Sequence, residues 1–218
     1  MRALGLVILC TAVCATSAPA QIIRQPQRAP QPSGWTSVSV GIVYPLTVRD
    51  GTTASEWQFG NAVQYRVSLE MPLQNQSTLG ISGAFARAPL TYVPLSGNLS
   101  TSCFSSCDAD ATITQLYAVF HAGGSPIGFH QVLDLALGAT GYSSFRERRT
   151  GEKLAPTKLD ADFSLAFGYG FGYTLAPGME INLVSEGSLT VHQRTGVAGG
   201  EDTLGRLIVL RLGMRFGL

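Results

Sequence analysis

His192 is the side chain of this sequence best suited to acid–base chemistry, and Ser188 and Asp162 are the nucleophile and orienting carboxylate that would complete a hydrolytic set with it. A nucleophile and its base must share a hydrogen bond. Nothing in this spacing secures one, because Gln193 and Arg194 follow His192 and no Ser stands two residues from it. Cys103 and Cys107 form the second candidate. They lie in a polar Ser- and Thr-rich stretch, where an even pair in an exported chain reads as a disulfide, and no second cysteine pair or nearby His completes a zinc set. The third candidate is a set of charges on otherwise apolar segments: Arg66, Arg211 and Arg215 against Glu70, Asp134, Asp162, Glu180 and Glu186. Such a set could line a narrow pore or fill a closed interior.

The segments that carry these charges alternate with period two, the mark of a strand whose faces meet different surroundings. Over 161–175, Phe163, Leu165, Phe167, Tyr169, Phe171, Tyr173 and Leu175 share one face, and Asp162, Ser164, Ala166, Gly168, Gly170, Gly172 and Thr174 the other. Over 204–217, Ile208, Leu210, Leu212, Met214 and Phe216 oppose Val209, Arg211, Gly213, Arg215 and Gly217. Val63, Tyr65, Val67, Leu69 and Met71 oppose Gln64, Arg66, Ser68 and Glu70, and Ile181, Leu183, Leu189 and Val191 oppose Glu180, Asn182, Glu186 and Ser188. Weaker runs at 35–44, 78–88, 111–121 and 131–142 bring the count to an expected eight. In 111–121 the phase is ambiguous, and Gln115 and His121 are taken to mark the interior side.

Composition narrows the class. Charged residues are only 13% of the 218, with 15 Lys and Arg against 14 Asp and Glu, so there is no basic field for nucleic acid. Beyond residue 20 no uncharged apolar run approaches the roughly 20 residues of a membrane helix. Residues 1–20 carry Arg2, an apolar stretch and a small-residue end at Ala18-Pro19-Ala20, the order of a secretory signal that would also remove Cys10 and Cys14. Residues 21–34, rich in Pro and Gln, read as a flexible leader, and 35–218 as one β domain. Its connections alternate long and short. The long ones are 45–60, 89–110, 143–160 and 192–203, opposite short turns at 72–77, 122–130 and 176–179.

An even strand count, segments of about ten alternating residues, and short turns opposite long loops are the features of bacterial outer-membrane barrels. On these features 35–218 resembles the eight-stranded outer-membrane β-barrel family, the OmpA- and OmpX-like transmembrane barrels. The alternating terminus Leu210, Leu212, Met214, Phe216 and Leu218 resembles the assembly signal that such barrels present to the outer-membrane insertion machinery, although it ends in Leu218 rather than an aromatic residue. The resemblance implies an all-β, antiparallel, up-and-down barrel in the outer membrane. With eight strands its interior is just wide enough for side chains to fill, so the inward charges are expected to plug the lumen. The midpoint of the loop before the last strand places Glu186 across from Arg211. The tight turn at 176–178 places Gly168 beside Glu186 and Asp162 beside His192.

The implied partners are outer-membrane lipids and the insertion machinery, for a monomer with a structural or surface-interaction role through its long loops. No catalytic residue, metal or cofactor is expected. Lipid deacylases of the outer membrane, similar barrels, carry a His and a Ser two residues apart, a pattern that His192 lacks. Two alternatives remain: a narrow channel for small or apolar solutes, and a soluble lipocalin-like barrel with the apolar face turned inward. Periodicity alone does not say which face is outside.

Overall fold

A computed structural model describes residues 32–73, 76–95, 103–125, 127–192 and 203–218. The expected signal segment and most of the leader lie outside these residues, as do parts of the second and fourth long loops. The described residues form ten strands and no helix: β1 (Trp35–Val43), β2 (Leu46–Asp50), β3 (Ser55–Phe59), β4 (Ala62–Pro72), β5 (Ser77–Pro94), β6 (Cys107–Ala122), β7 (Gly128–Glu147), β8 (Asp160–Ala176), β9 (Met179–His192) and β10 (Thr203–Gly217).

Eight of them close a barrel in the circular order β1-β4-β5-β6-β7-β8-β9-β10, every pairing antiparallel and the ring completed between β1 and β10. Closure pairs the backbone polar groups and removes sheet edges. The other two strands are a correction to the sequence reading, which leaves 45–60 as a loop. Pro45 has no N–H to give the ladder, so β1 stops there. The chain resumes as β2, turns back as β3 and pairs with the far end of β5, with Ser55 opposite Pro94 and Phe59 opposite Leu90. Tyr44 N–H still bonds to Ile208 O at 2.9 Å and Gly60 N–H to Pro89 O at 2.8 Å. The hairpin therefore carries the wall of the barrel upward.

β5, β6 and β7 also run beyond the expected limits, to Pro94, from Cys107 and to Glu147. β6 points Ile113, Gln115, Tyr117, Val119 and His121 into the barrel and Leu116 outward. At the top of β7 a bulge opposite Ala111, with Ser144 at φ 57°, shifts the phase so that both Tyr142 and Phe145 face inward. Between β8 and β9 the connection is Pro177-Gly178, with Gly178 at φ 80°, the Pro-then-Gly order of a type II turn.

Candidate functional site

The lumen has two contrasting levels and a polar layer between them. At the short-turn end lie the predicted charges. Arg66 holds Glu186 in a fork, Nη1 to Oε2 at 2.6 Å and Nη2 to Oε1 at 2.5 Å, a bidentate geometry specific to guanidinium and carboxylate. Arg211 lies between Glu186, 3.5 Å away, and Asp134, to which it donates a short hydrogen bond. Asp134 meets His121 Nδ1 at 2.6 Å, and Arg215 Nη1 meets His121 Nε2 at 2.8 Å. Because a guanidinium can only donate, Nε2 accepts, and the ring's proton sits on Nδ1 facing Asp134. Arg215 also donates to Glu70 at 2.6 Å and approaches Glu180 at 3.5 Å. These side chains are all buried. Glycine makes room for them: a Cβ on Gly168 would stand 3.2 Å from Asp134 Cβ, and one on Gly172 would run into the His130 ring. The cavity left among the charges is about 20 Å³, space for about one water.

The register across the tight turn has Gly168 opposite Glu186. Across the long loop it differs from the sequence reading by two residues, with Glu186 opposite Val209 and Arg215 opposite Glu180. Glu186 therefore takes Arg66 as its close partner, and Arg211 turns to Asp134. Of the predicted charges, Asp162 alone stands apart from this network.

Above the charges, Tyr117, Thr140, Ser164 and Thr190 bond to one another at 2.8–3.1 Å. Higher still the lumen is apolar. Trp57, Phe59, Tyr142 and Phe145 pack with ring centroids 4.6–6.5 Å apart among Val48, Leu90, Tyr92 and Leu154. Trp57 Nε1 donates to Ser55 at 2.8 Å, so this buried ring keeps its polar partner. Cys103 is buried in the same cluster and bonded to Cys107, at the start of β6. Sequence reasoning missed this aromatic plug. Its signal, the alternation of Leu46 and Val48 and of Trp57 and Phe59, spans only five residues per strand.

Outside, the two levels reverse. Around the lower barrel Val40, Ile42, Val67, Leu69, Ile81, Leu137, Phe167, Leu183 and Leu210 are exposed, as are Leu212 and Leu218 of the proposed assembly signal, with Met214 and Phe216 half-buried. Around the upper level the outward residues are Arg49, Gln58, Arg87, Arg146 and Arg148, and Arg49 pairs with Glu56 at 2.6 Å.

At the rim, beyond Phe163 and Val191, the last outward apolar residues of β8 and β9, His192 Nδ1 meets Asp162 at 2.6 Å, with Asp50 and Asp160 nearby. Ser188 is buried but has no hydrogen bond to His192, so the hydrolytic set does not assemble. Burial disfavours the charged imidazole, yet the hydrogen bond to Asp162 and the nearby carboxylates of Asp50 and Asp160 outweigh it and raise its pKa to about 9. Burial likewise opposes the Asp50 carboxylate, but the nearby His192 and hydrogen bonds from Thr53 and the Thr52 backbone hold it below its usual range.

A closed eight-stranded antiparallel sheet with an apolar outer belt and a lumen filled by charges is a β-barrel of the outer-membrane type. In fold the chain is similar to Neisserial surface protein A (11% identity, 84% of this chain and 97% of that one, TM-score 0.47) and to OprG from Pseudomonas aeruginosa (14%, 86% and 98%, 0.47). It is also similar to the N-terminal barrel of OprF from the same organism (12%, 85% and 100%, 0.42). No protein-family model matches the sequence, and no curated protein does either.

Proposed function

We propose that this protein is a monomeric integral outer-membrane barrel that does not conduct. Its role is structural or surface-interacting, exercised without catalysis through the long-loop end. Residues 1–20 act as its export signal, and the outward-facing terminus at 210–218 is read by the insertion machinery. Both ends of the barrel chain then lie on the periplasmic side, and the rim faces the exterior.

One observation carries the membrane reading: the inside-out reversal between the two levels. A soluble barrel would keep apolar side chains inward throughout, as only the upper level does. The lower level puts Ile42, Val67, Phe167 and Leu210 outside and arginines inside, an arrangement that suits a solvent of lipid. Against conduction stand the Arg66–Glu186 fork and the aromatic plug above it, two successive closures of a lumen that eight strands already make narrow.

Fractionation and planar-bilayer recording test the two halves of this reading. The protein should stay with outer membranes through carbonate extraction and give no discrete current steps. Recovery in the soluble periplasmic fraction would overturn the membrane assignment, and stable single-channel steps would favour a narrow channel.

A further inference from the structure

The rim cluster offers a chemistry that neither the fold nor the plug requires. His192 is only 2% exposed, with its ring 5.5 Å from that of Trp57 and 6.3 Å from that of Tyr142. Its Nδ1 is engaged by Asp162 at 2.6 Å, while its Nε2 is buried with no hydrogen-bond partner. That nitrogen faces Asp50 Oδ1 at 3.6 Å and Asp160 Oδ2 at 3.9 Å, both too far for a hydrogen bond. The three donor atoms lie within 4.8 Å of one another. They come from the end of β2, the start of β8 and the end of β9, segments far apart in sequence that the barrel wall brings to one point.

The spacing suits an ion rather than a direct bond. Ligand atoms about 2.1 Å from a tetrahedral ion stand about 3.4 Å apart, so the imidazole nitrogen, 3.6 and 3.9 Å from the two carboxylates, needs to close on them by only about half an ångström or less. A metal-bound imidazole almost always gives its other nitrogen to a carboxylate, the position that Asp162 occupies. Asp50 is held in place by the Thr52 N–H at 2.8 Å, the Thr53 N–H at 3.1 Å and the Thr53 hydroxyl. Asp160 is partly open to solvent, which gives an ion, and a water as its fourth ligand, a way in.

We propose that Asp50, Asp160 and His192 bind a divalent first-row transition ion at the rim, with Asp162 positioning His192. An imidazole with two carboxylates suits zinc, cobalt, nickel or manganese better than calcium, which takes six to eight oxygens, or copper(I), which wants sulfur. The bound ion would tie β2 to β8 and β9 and brace the hairpin against the barrel.

The test is calorimetric titration of untagged, chelator-treated protein in detergent micelles with zinc chloride. One equivalent should bind per chain. Asp160→Asn, at the partly exposed ligand, should weaken binding at least tenfold, and Asp162→Asn by about 10- to 100-fold. His130→Gln, at the opposite end of the lumen, should leave binding unchanged. Each variant is first checked for the gel mobility of the unboiled, folded barrel. As a second readout, zinc should raise the thermal midpoint of the native protein and of His130→Gln but not of Asp160→Asn. Absence of saturable binding overturns the proposal and leaves protonated His192 as the cluster's cation. Undiminished binding in both aspartate variants overturns it too, because the ion would then sit elsewhere.

Discussion

The two levels of this barrel share most of their strands, with the β2–β3 hairpin above β1 and β4, and differ in almost everything the wall encloses. Toward the short turns, apolar side chains face out and Arg66, Arg211, Arg215, Glu70, Asp134, Glu180 and Glu186 fill the lumen. Above Pro45 and Gly60, Val48, Trp57, Phe59, Tyr92 and Phe145 fill it, and Arg49, Gln58 and Arg146 face out. In the proposed outer-membrane setting one fold thus serves two solvents, and the side-chain pattern marks where lipid would give way to water. The interiors also fix structure differently. Ion pairs in the lower level are directional: each carboxylate has a partner that a one-residue slip would send to the other face. Upstairs, the apolar plug depends on volume and shape, which tolerate substitution if the space stays filled.

Substitutions that treat the two levels alike should expose this difference. Arg66→Met strands Glu186 in the lower lumen and should cost about 3 to 5 kcal/mol in urea unfolding from micelles, because one buried charge loses its close partner. Adding Glu186→Gln should recover much of that loss, whereas adding Asp162→Asn, far from the fork, should recover none. Trp57→Ala opens the plug and should cost about 3 to 5 kcal/mol, toward the lower figure, and Trp57→Phe should retain most of the stability. Hydrogen exchange should show the Trp57→Ala loss concentrated in β2, β3 and the top of β5. On the outside, Leu210→Arg should cost about 2 to 4 kcal/mol in bilayers, because it puts a charge into lipid. The matching outward change in the hairpin, Thr47→Arg, should stay within about 0.5 kcal/mol. Removal of the Cys103–Cys107 disulfide should cost less than the changes in either interior. By loop-closure entropy its short ring contributes about 2 kcal/mol or less, measurable as a lower midpoint under reducing conditions.

The lower level was legible because its period is strict and long: β8 and β10 alternate without a break, and charge against Phe or Leu marks the two faces. Register was legible only where the connection is rigid. The two-residue connection Pro177-Gly178 holds the pairing to within one residue, and an irregularity between Thr174 and Ala176 sets the offset that brings Gly168 opposite Glu186. Before β10 the sequence offers no short turn to set the offset, and the register lies two residues from the loop-midpoint expectation, with Val209 opposite Glu186 and Arg211, still 3.5 Å from Glu186, bonded to Asp134. The hairpin was hidden by its punctuation. Pro45 and Gly60 mark loop boundaries in sequence, and strands as short as β2 and β3 carry too few alternations to overrule them. Their inverted polarity, apolar inward, also has no meaning until the wall beneath them is known. For the rim cluster, the tight turn revealed Asp162 beside His192, but Asp50 joins them only through the hairpin that the sequence left as a loop.

The facing of β10 tests the central claim most directly. Nitroxide labels placed singly at Leu207 through Gly213 in bilayer-embedded protein report collisions with oxygen, which concentrates in lipid. Accessibility should oscillate with period two, high at Ile208, Leu210 and Leu212 and low at Leu207, Val209 and Arg211, with labels at Glu56 and Gln58 of β3 responding instead to water-soluble relaxants. Maxima at Leu207, Val209 and Arg211, or labels at Ile208 and Leu210 that meet water rather than lipid, would contradict the account and make this a soluble barrel with its faces reversed.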